Sequence, residues 1–241
     1  MKTTASQRAS KSASQRAGKT VATAKGKGSA ERVREILRLL AKMYPEAECA
    51  LTHRSAWELV AATILSAQCT DVRVNMVTPE LFRMWPTAAA LAGAPQAAVE
   101  QVIRSTGFYR NKAKSLIGAA RVVTERFGGV VPQTMDELLE MPGVARKTAN
   151  VVLGTWFKKS EGVVVDTHVK RISRRLGLTK ATEPVKIERD LVKILPRERW
   201  TAFSHEIIQH GRRVCVARKP RCAECGLEKL CSAKDKTYAT H

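Results

Sequence analysis

Beyond residue 30 the apolar positions of this chain recur at intervals of three and four. In ERVREILRLLAKMY, Val33, Ile36, Leu37, Leu40 and Met43 fall on one face of a helix starting at Glu31. Ser55 stands before WELVAATILSAQ as an N-cap, its hydroxyl free to accept from a first-turn amide. Helical stretches follow over 72–84, 95–105 and 109–127, until Gly128, Gly129 and Pro132 break the run. Thr134 heads the short helix TMDELLEM, with Glu137 at capping-box spacing. After Pro142-Gly143 another helix runs through ARKTANVVLGTWF. Asp166 opens the next, which Gly177 stops, and two more are predicted near 183–195 and 198–212. Strand-like alternation is nearly absent, so the predicted fold class is all-α.

Residues 1–28 break this pattern. Their only large branched apolar residue is Val21, too little to offset the entropy of ordering, so a disordered basic tail is predicted there. A mitochondrial transit peptide shares the Ser, Ala and Arg bias, but this segment lacks the Leu or Phe of an amphipathic face. No apolar run reaches transmembrane length and no secretory signal opens the chain, which points to the cytoplasm, at the bacterial nucleoid, and to no membrane partner.

Charge changes the picture further. The 241 residues hold 42 Lys and Arg against 22 Asp and Glu, a net +20. The first 30 residues carry seven of the basic residues and no acid, so the body keeps +13. A basic body, beyond a basic tail, attracts polyanions.

Four features carry candidate chemistry. Met141-Pro142-Gly143-Val144-Ala145 is a tight reversal between two helices, and the free amides after it form an anion site suited to a DNA phosphate. Lys147 sits in the first turn of the second helix, beside Arg146 and at the positive helix end. Both neighbours disfavour its ammonium, as nucleophilic attack on a sugar C1′ requires. Asp166 is an N-cap whose carboxylate could also face a cleft and stabilise developing positive charge. Finally, Cys215, Cys222, Cys225 and Cys231 have the spacing C-x6-C-x2-C-x5-C, which suits a [4Fe–4S] cluster or an all-thiolate zinc. Arg218, Lys219 and Arg221 would project from the loop this metal ties. Cys49 and Cys69 read as packed thiols.

Taken together, MPGVARKTANVVL, VVVDTHVKR, ILSAQCTDVRVN, GFYRNKAKSL and HGRRVCVARKPRC resemble the endonuclease III family of helix-hairpin-helix DNA glycosylases, from about Glu31 to Lys236. The resemblance implies two lobes with DNA across the cleft between them. Residues 51–160 would form a six-helix barrel with the hairpin; 29–50 and 161–241 would form the iron–sulfur cluster domain. It implies that Lys147 is the Schiff-base lysine, Asp166 the catalytic aspartate, and the four cysteines the ligands of a structural [4Fe–4S] cluster. Gln68 and Phe108 would fill the gap left by an extruded nucleotide, where residue type alone reads a helix-end polar residue and a core aromatic.

The activity implied is a bifunctional one on double-stranded DNA, by a monomer. It would excise oxidised pyrimidines, then cleave the abasic strand by β-elimination. Two alternatives compete: an adenine glycosylase of the same superfamily, which lacks the lysine, and a noncatalytic zinc-containing DNA-binding protein. The chain departs from the family pattern at Ala145, where a second glycine is usual, at Cys69, and in a loop between Lys147 and Asp166 that is one residue longer.

Overall fold

The computed structural model describes residues 24–238, and among them there is no strand. Eleven α-helices follow in order: α1 (Ala24–Met43), α2 (Ala56–Leu65), α3 (Asp71–Met84), α4 (Ala88–Ala92), α5 (Gln96–Ile103), α6 (Tyr109–Arg126), α7 (Met135–Leu139), α8 (Arg146–Thr155), α9 (Thr167–Arg175), α10 (Pro184–Ile194) and α11 (Trp200–Arg213). Capping explains several starts. The side chains of Ser55, Thr70, Thr87, Thr134 and Asp166 each accept a hydrogen bond from an amide in the following first turn.

The structure differs from the sequence pattern in three places. The first helix begins at Ala24 rather than Glu31, so part of the expected tail is helical; residues 1–23 lie outside the described residues. Helix α4 was absent from the pattern because AAALA is too short to show a period. At Glu137 the reciprocal capping bond is replaced: Thr134 Oγ1 donates to Glu137 Oε2 at 2.6 Å, so the carboxylate holds the hydroxyl rather than the N-cap amide.

Two buried apolar clusters organise these helices. One runs from Leu51 to Leu153 and includes Leu59, Leu65, Leu81, Ile103, Leu116, Leu138 and Met141. The other joins Val33–Tyr44 of the first helix region to residues 163–227, around Leu40, Ile172, Leu191, Phe203 and Ile207. Glu188 on α10 bridges them: its carboxylate accepts from Arg146 Nε at 3.1 Å and from buried Asn150 Nδ2 at 3.1 Å, both on α8. Gly154 of α8 is packed so closely on Thr201 of α11 that a Cβ would lie 2.4 Å from its Oγ1. No helix among the described residues is long and apolar enough to cross a membrane.

Candidate active site and DNA interface

The chain reverses between α7 and α8 with Met141 and Val144 sunk in the first core and Pro142 and Gly143 exposed. Gly143 has φ +80, and a Cβ there would lie 2.7 Å from Ser115 Cβ on α6. Both backbone and neighbour demand glycine. Ala145 is the N-cap of α8 and offers no side-chain cap, which leaves the first amides of α8 unclaimed and outward. Gly143→Ala should therefore destabilise the fold by about 1–3 kcal/mol through strain at φ +80 and contact with Ser115. Its urea midpoint and its affinity for undamaged duplex should fall together; an unchanged midpoint would contradict this description of the turn.

As the second residue of α8, Lys147 is exposed and lines a cleft. Asp166 lines the same cleft. An extended, buried segment, Val163–Val165, carries it there, fixed by Ser204 Oγ accepting from Val164 N at 3.1 Å. Asp166 Oδ1 caps α9 through Val169 N at 2.8 Å, so one oxygen is used structurally and the side chain still borders the cleft. Among the described residues neither Lys147 nor Asp166 joins an ion pair within bonding distance of any partner, and Lys147 is the only amine on the cleft wall.

Several polar wall residues were not foreseen. Asp71, opening α3, pairs with Arg212 on α11, so an ion pair from the two cores spans the cleft. Glu48, Gln209 and His205 also line it, and burial pushes the His205 imidazole pKa down. Asp71 lies within a motif quoted for resemblance, but nothing local shows that Arg212 meets it.

Backbone geometry singles out three further candidate residues, Gln68, Phe108 and Lys219. Four non-glycine residues have positive φ among those described: Gln68 (52°), Phe108 (47°), Lys158 (56°) and Lys219 (51°). Such backbone costs free energy and concentrates at ligand-clamping sites. Gln68 is exposed just past α2, and Phe108 is 64% exposed at the start of α6, a wasteful setting for a core aromatic.

Lys219 belongs to the loop Val216–Arg221. Arg218, Lys219 and Arg221 are all exposed there, Arg221 with a loose 3.9 Å pairing to Glu224. Ala217 of this loop and Thr167 beside Asp166 line one groove. Arg171 on α9 secures the loop's root, its Nη2 donating to Cys215 O at 2.7 Å.

The four C-terminal cysteines line a separate small pocket with Ile172, Leu176, Val214 and Leu227. Among the described residues no three His, Cys, Asp or Glu side chains close on a point as one metal ion requires. The four cysteines border one pocket, and their donor set is that of either a [4Fe–4S] cluster or a single zinc. Burial pushes the Cys215 thiol up and the Cys225 thiol up to about 11, with neighbouring thiols adding to both. A cationic group among them would reverse this. Outer contacts are in place: buried His210 approaches Cys225 Sγ with Nε2 at 3.5 Å and meets Tyr44 Oη with Nδ1 at 2.8 Å. Cys49 and Cys69 are partly buried thiols packed against the first core.

Residues 61–197 match the model of the HhH-GPD superfamily of base excision DNA repair proteins. The chain is 59% identical over 201 residues to endonuclease III of Synechocystis sp., covering 83% of this chain and 92% of that one. Against endonuclease III of Escherichia coli K12 it is 39% identical over 202 residues, covering 84% and 95%. It superposes on a trapped endonuclease III–DNA covalent intermediate with TM-score 0.80 at 42% identity, covering 84% of this chain and 95% of that one. A thermostable thymine-DNA glycosylase at 21% identity and TM-score 0.77 shares the fold.

Proposed function

The chain belongs to the endonuclease III family of the HhH-GPD base-excision repair superfamily, and from that premise we propose that it removes oxidised pyrimidines from duplex DNA. Membership makes it a DNA glycosylase with abasic-site lyase activity. The observation that carries the residue assignment is the shared cleft of Lys147 and Asp166. In this reading Lys147 is the nucleophile and Asp166 its proton acceptor. Lys147 Nζ gives up a proton to Asp166 and attacks C1′. The C1′–N bond breaks, its electron pair leaves with the base, and the base takes up a proton. The substituted amine then loses a proton, and its freed lone pair opens the C1′–O4′ bond to a cationic imine as O4′ takes that proton up. The cationic imine acidifies the C2′ hydrogen, whose loss expels the 3′ phosphate and cuts the strand.

The remaining assignments follow the same reading. The amides after Gly143 and at Ala145 grip a phosphate, and Arg218, Lys219 and Arg221 grip the backbone further along. Gln68 and Phe108 occupy the space an extruded nucleotide leaves. Cys215, Cys222, Cys225 and Cys231 hold a [4Fe–4S] cluster, which when bound cross-links the loop and supplies no step of the reaction. The two apolar cores are the two lobes, 51–160 and 29–50 with 161–241. The protein acts as a monomer at the bacterial nucleoid, a placement supported by its bacterial relatives.

An incision assay tests the substrate class. Duplexes carrying single oxidised pyrimidines should be cut with kcat/KM at least about tenfold above duplexes carrying adenine opposite oxidised guanine, a modest discrimination for a polar pocket. Preference for the adenine duplex would overturn the reading.

A further inference from the structure

Lys112 lies on α6, one turn after Phe108, and takes no part in the chemistry above. It is 5% exposed, and burial holds its pKa down. Its Nζ donates to Leu65 O at 2.8 Å and to Thr106 O at 2.7 Å. Among the described residues it forms no ion pair. A buried ammonium is costly to keep, and an apolar side chain would fill the same space at lower cost.

The two acceptors explain what is gained. Leu65 is the last residue of α2, whose C-terminal carbonyls carry the negative end of the helix dipole. Three residues later comes Gln68 on left-handed backbone. Thr106 ends a single 3-10 turn, Arg104–Thr106, and two residues later comes Phe108, also left-handed. One ammonium with three donors thus holds the root of both exposed loops. The same helix buttresses the hairpin through Ser115 and Gly118, the latter 3.0 Å by its would-be Cβ from Pro142.

We propose that Lys112 is a positioning residue that locks the Gln68 loop to the Phe108 loop, so that both side chains enter the duplex as one rigid unit. This rests on the reading that those two residues fill the extrusion gap. Its consequence is selective. Steps that require a nucleotide to leave a stacked duplex depend on Lys112; cleavage of an abasic site in single-stranded DNA, which needs no extrusion, does not.

The test is a mutant cycle read by single-turnover kinetics, with 2-aminopurine opposite the lesion reporting insertion. Lys112→Met should slow excision from duplex roughly tenfold, the size expected of coupled neighbours, with duplex Kd and single-strand cleavage within twofold of wild type. Added to Phe108→Ala it should slow excision no further. A wild-type rate on duplex, an equal loss on single strands, or a fully additive double mutant would overturn the proposal. The gap-filling premise is read separately: if Phe108→Ala and Gln68→Ala excise at the wild-type rate, that premise falls whatever Lys112 does. Should Lys112→Met fail to fold, Lys112→Gln keeps amide donors on a shorter stem. Hydrogen exchange in wild type then decides as well: the amides of 66–69 and 106–109 should open as one unit, and independent opening would refute the link.

Discussion

Lys147→Ala should leave a folded, DNA-binding protein that neither cuts abasic strands nor forms a borohydride-trapped adduct. No other amine lines the cleft, so nothing can replace it as the imine-forming group. The side chain is exposed and joins no ion pair among the described residues, so its loss opens no cavity and strands no charge. Stability should therefore stay within about 0.5 kcal/mol of wild type, the usual range for a surface substitution. Strand cleavage should fall by more than about 10³-fold, the scale on which nucleophile removal acts. Asp166→Asn should behave differently. It keeps an oxygen for the Val169 amide but loses the base, so cleavage should drop about 10²–10⁴-fold with the helix cap intact. The measurement is a single-turnover incision assay beside gel detection of the reduced adduct. A trapped adduct persisting in Lys147→Ala would remove the lysine from its assigned role.

Much of this site was legible before any coordinates. The turn Met141–Ala145 and the cap at Asp166 are local signals, and local hydrogen bonds realise both: Val144 N donates to Met141 O and Val169 N to Asp166 Oδ1. What stayed hidden depends on partners far apart in the chain. Lys112 binds backbone carbonyls, which carry no side-chain signature, so nothing in GFYRNKAKSL announces Leu65. Arg212 meets Asp71, and Glu188 meets Arg146 and Asn150, only because two cores pack together. Gln68 and Phe108 were assigned through resemblance; their left-handed backbone, the physical reason for looking at them, follows from loop geometry that residue type does not encode. The early start of α1 was missed for the opposite reason. AKGKG has no apolar period and two glycines, and it continues a helix whose stability comes from the amphipathic stretch after it.

Replacing Cys222 by alanine should have the largest effect on the fold. Cys222 is 8% exposed and lies a third of the way along a 24-residue segment, 215–238, that holds only two single 3-10 turns and no α-helix. Its packing comes from Leu227, Pro220 and the thiols, while Arg171 and Arg175 hold its edges. So little regular structure cannot order the segment alone, and ligation of the proposed cluster would then supply folding free energy for it. Loss of one thiolate should cost several kcal/mol. For a chain of this size that lowers Tm by roughly 10 °C or more, at about 2–4 °C per kcal/mol. Iron content should fall from near four per chain towards zero and the brown colour should fade. Affinity for undamaged duplex should drop as Arg218, Lys219 and Arg221 lose their anchorage. Cys49→Ala provides the contrast: it removes a thiol outside the cavity and should leave iron content unchanged. Wild-type protein that is colourless and carries one zinc would replace the cluster with a single ion. Equal iron in Cys222→Ala and wild type would remove this cysteine from the ligand set.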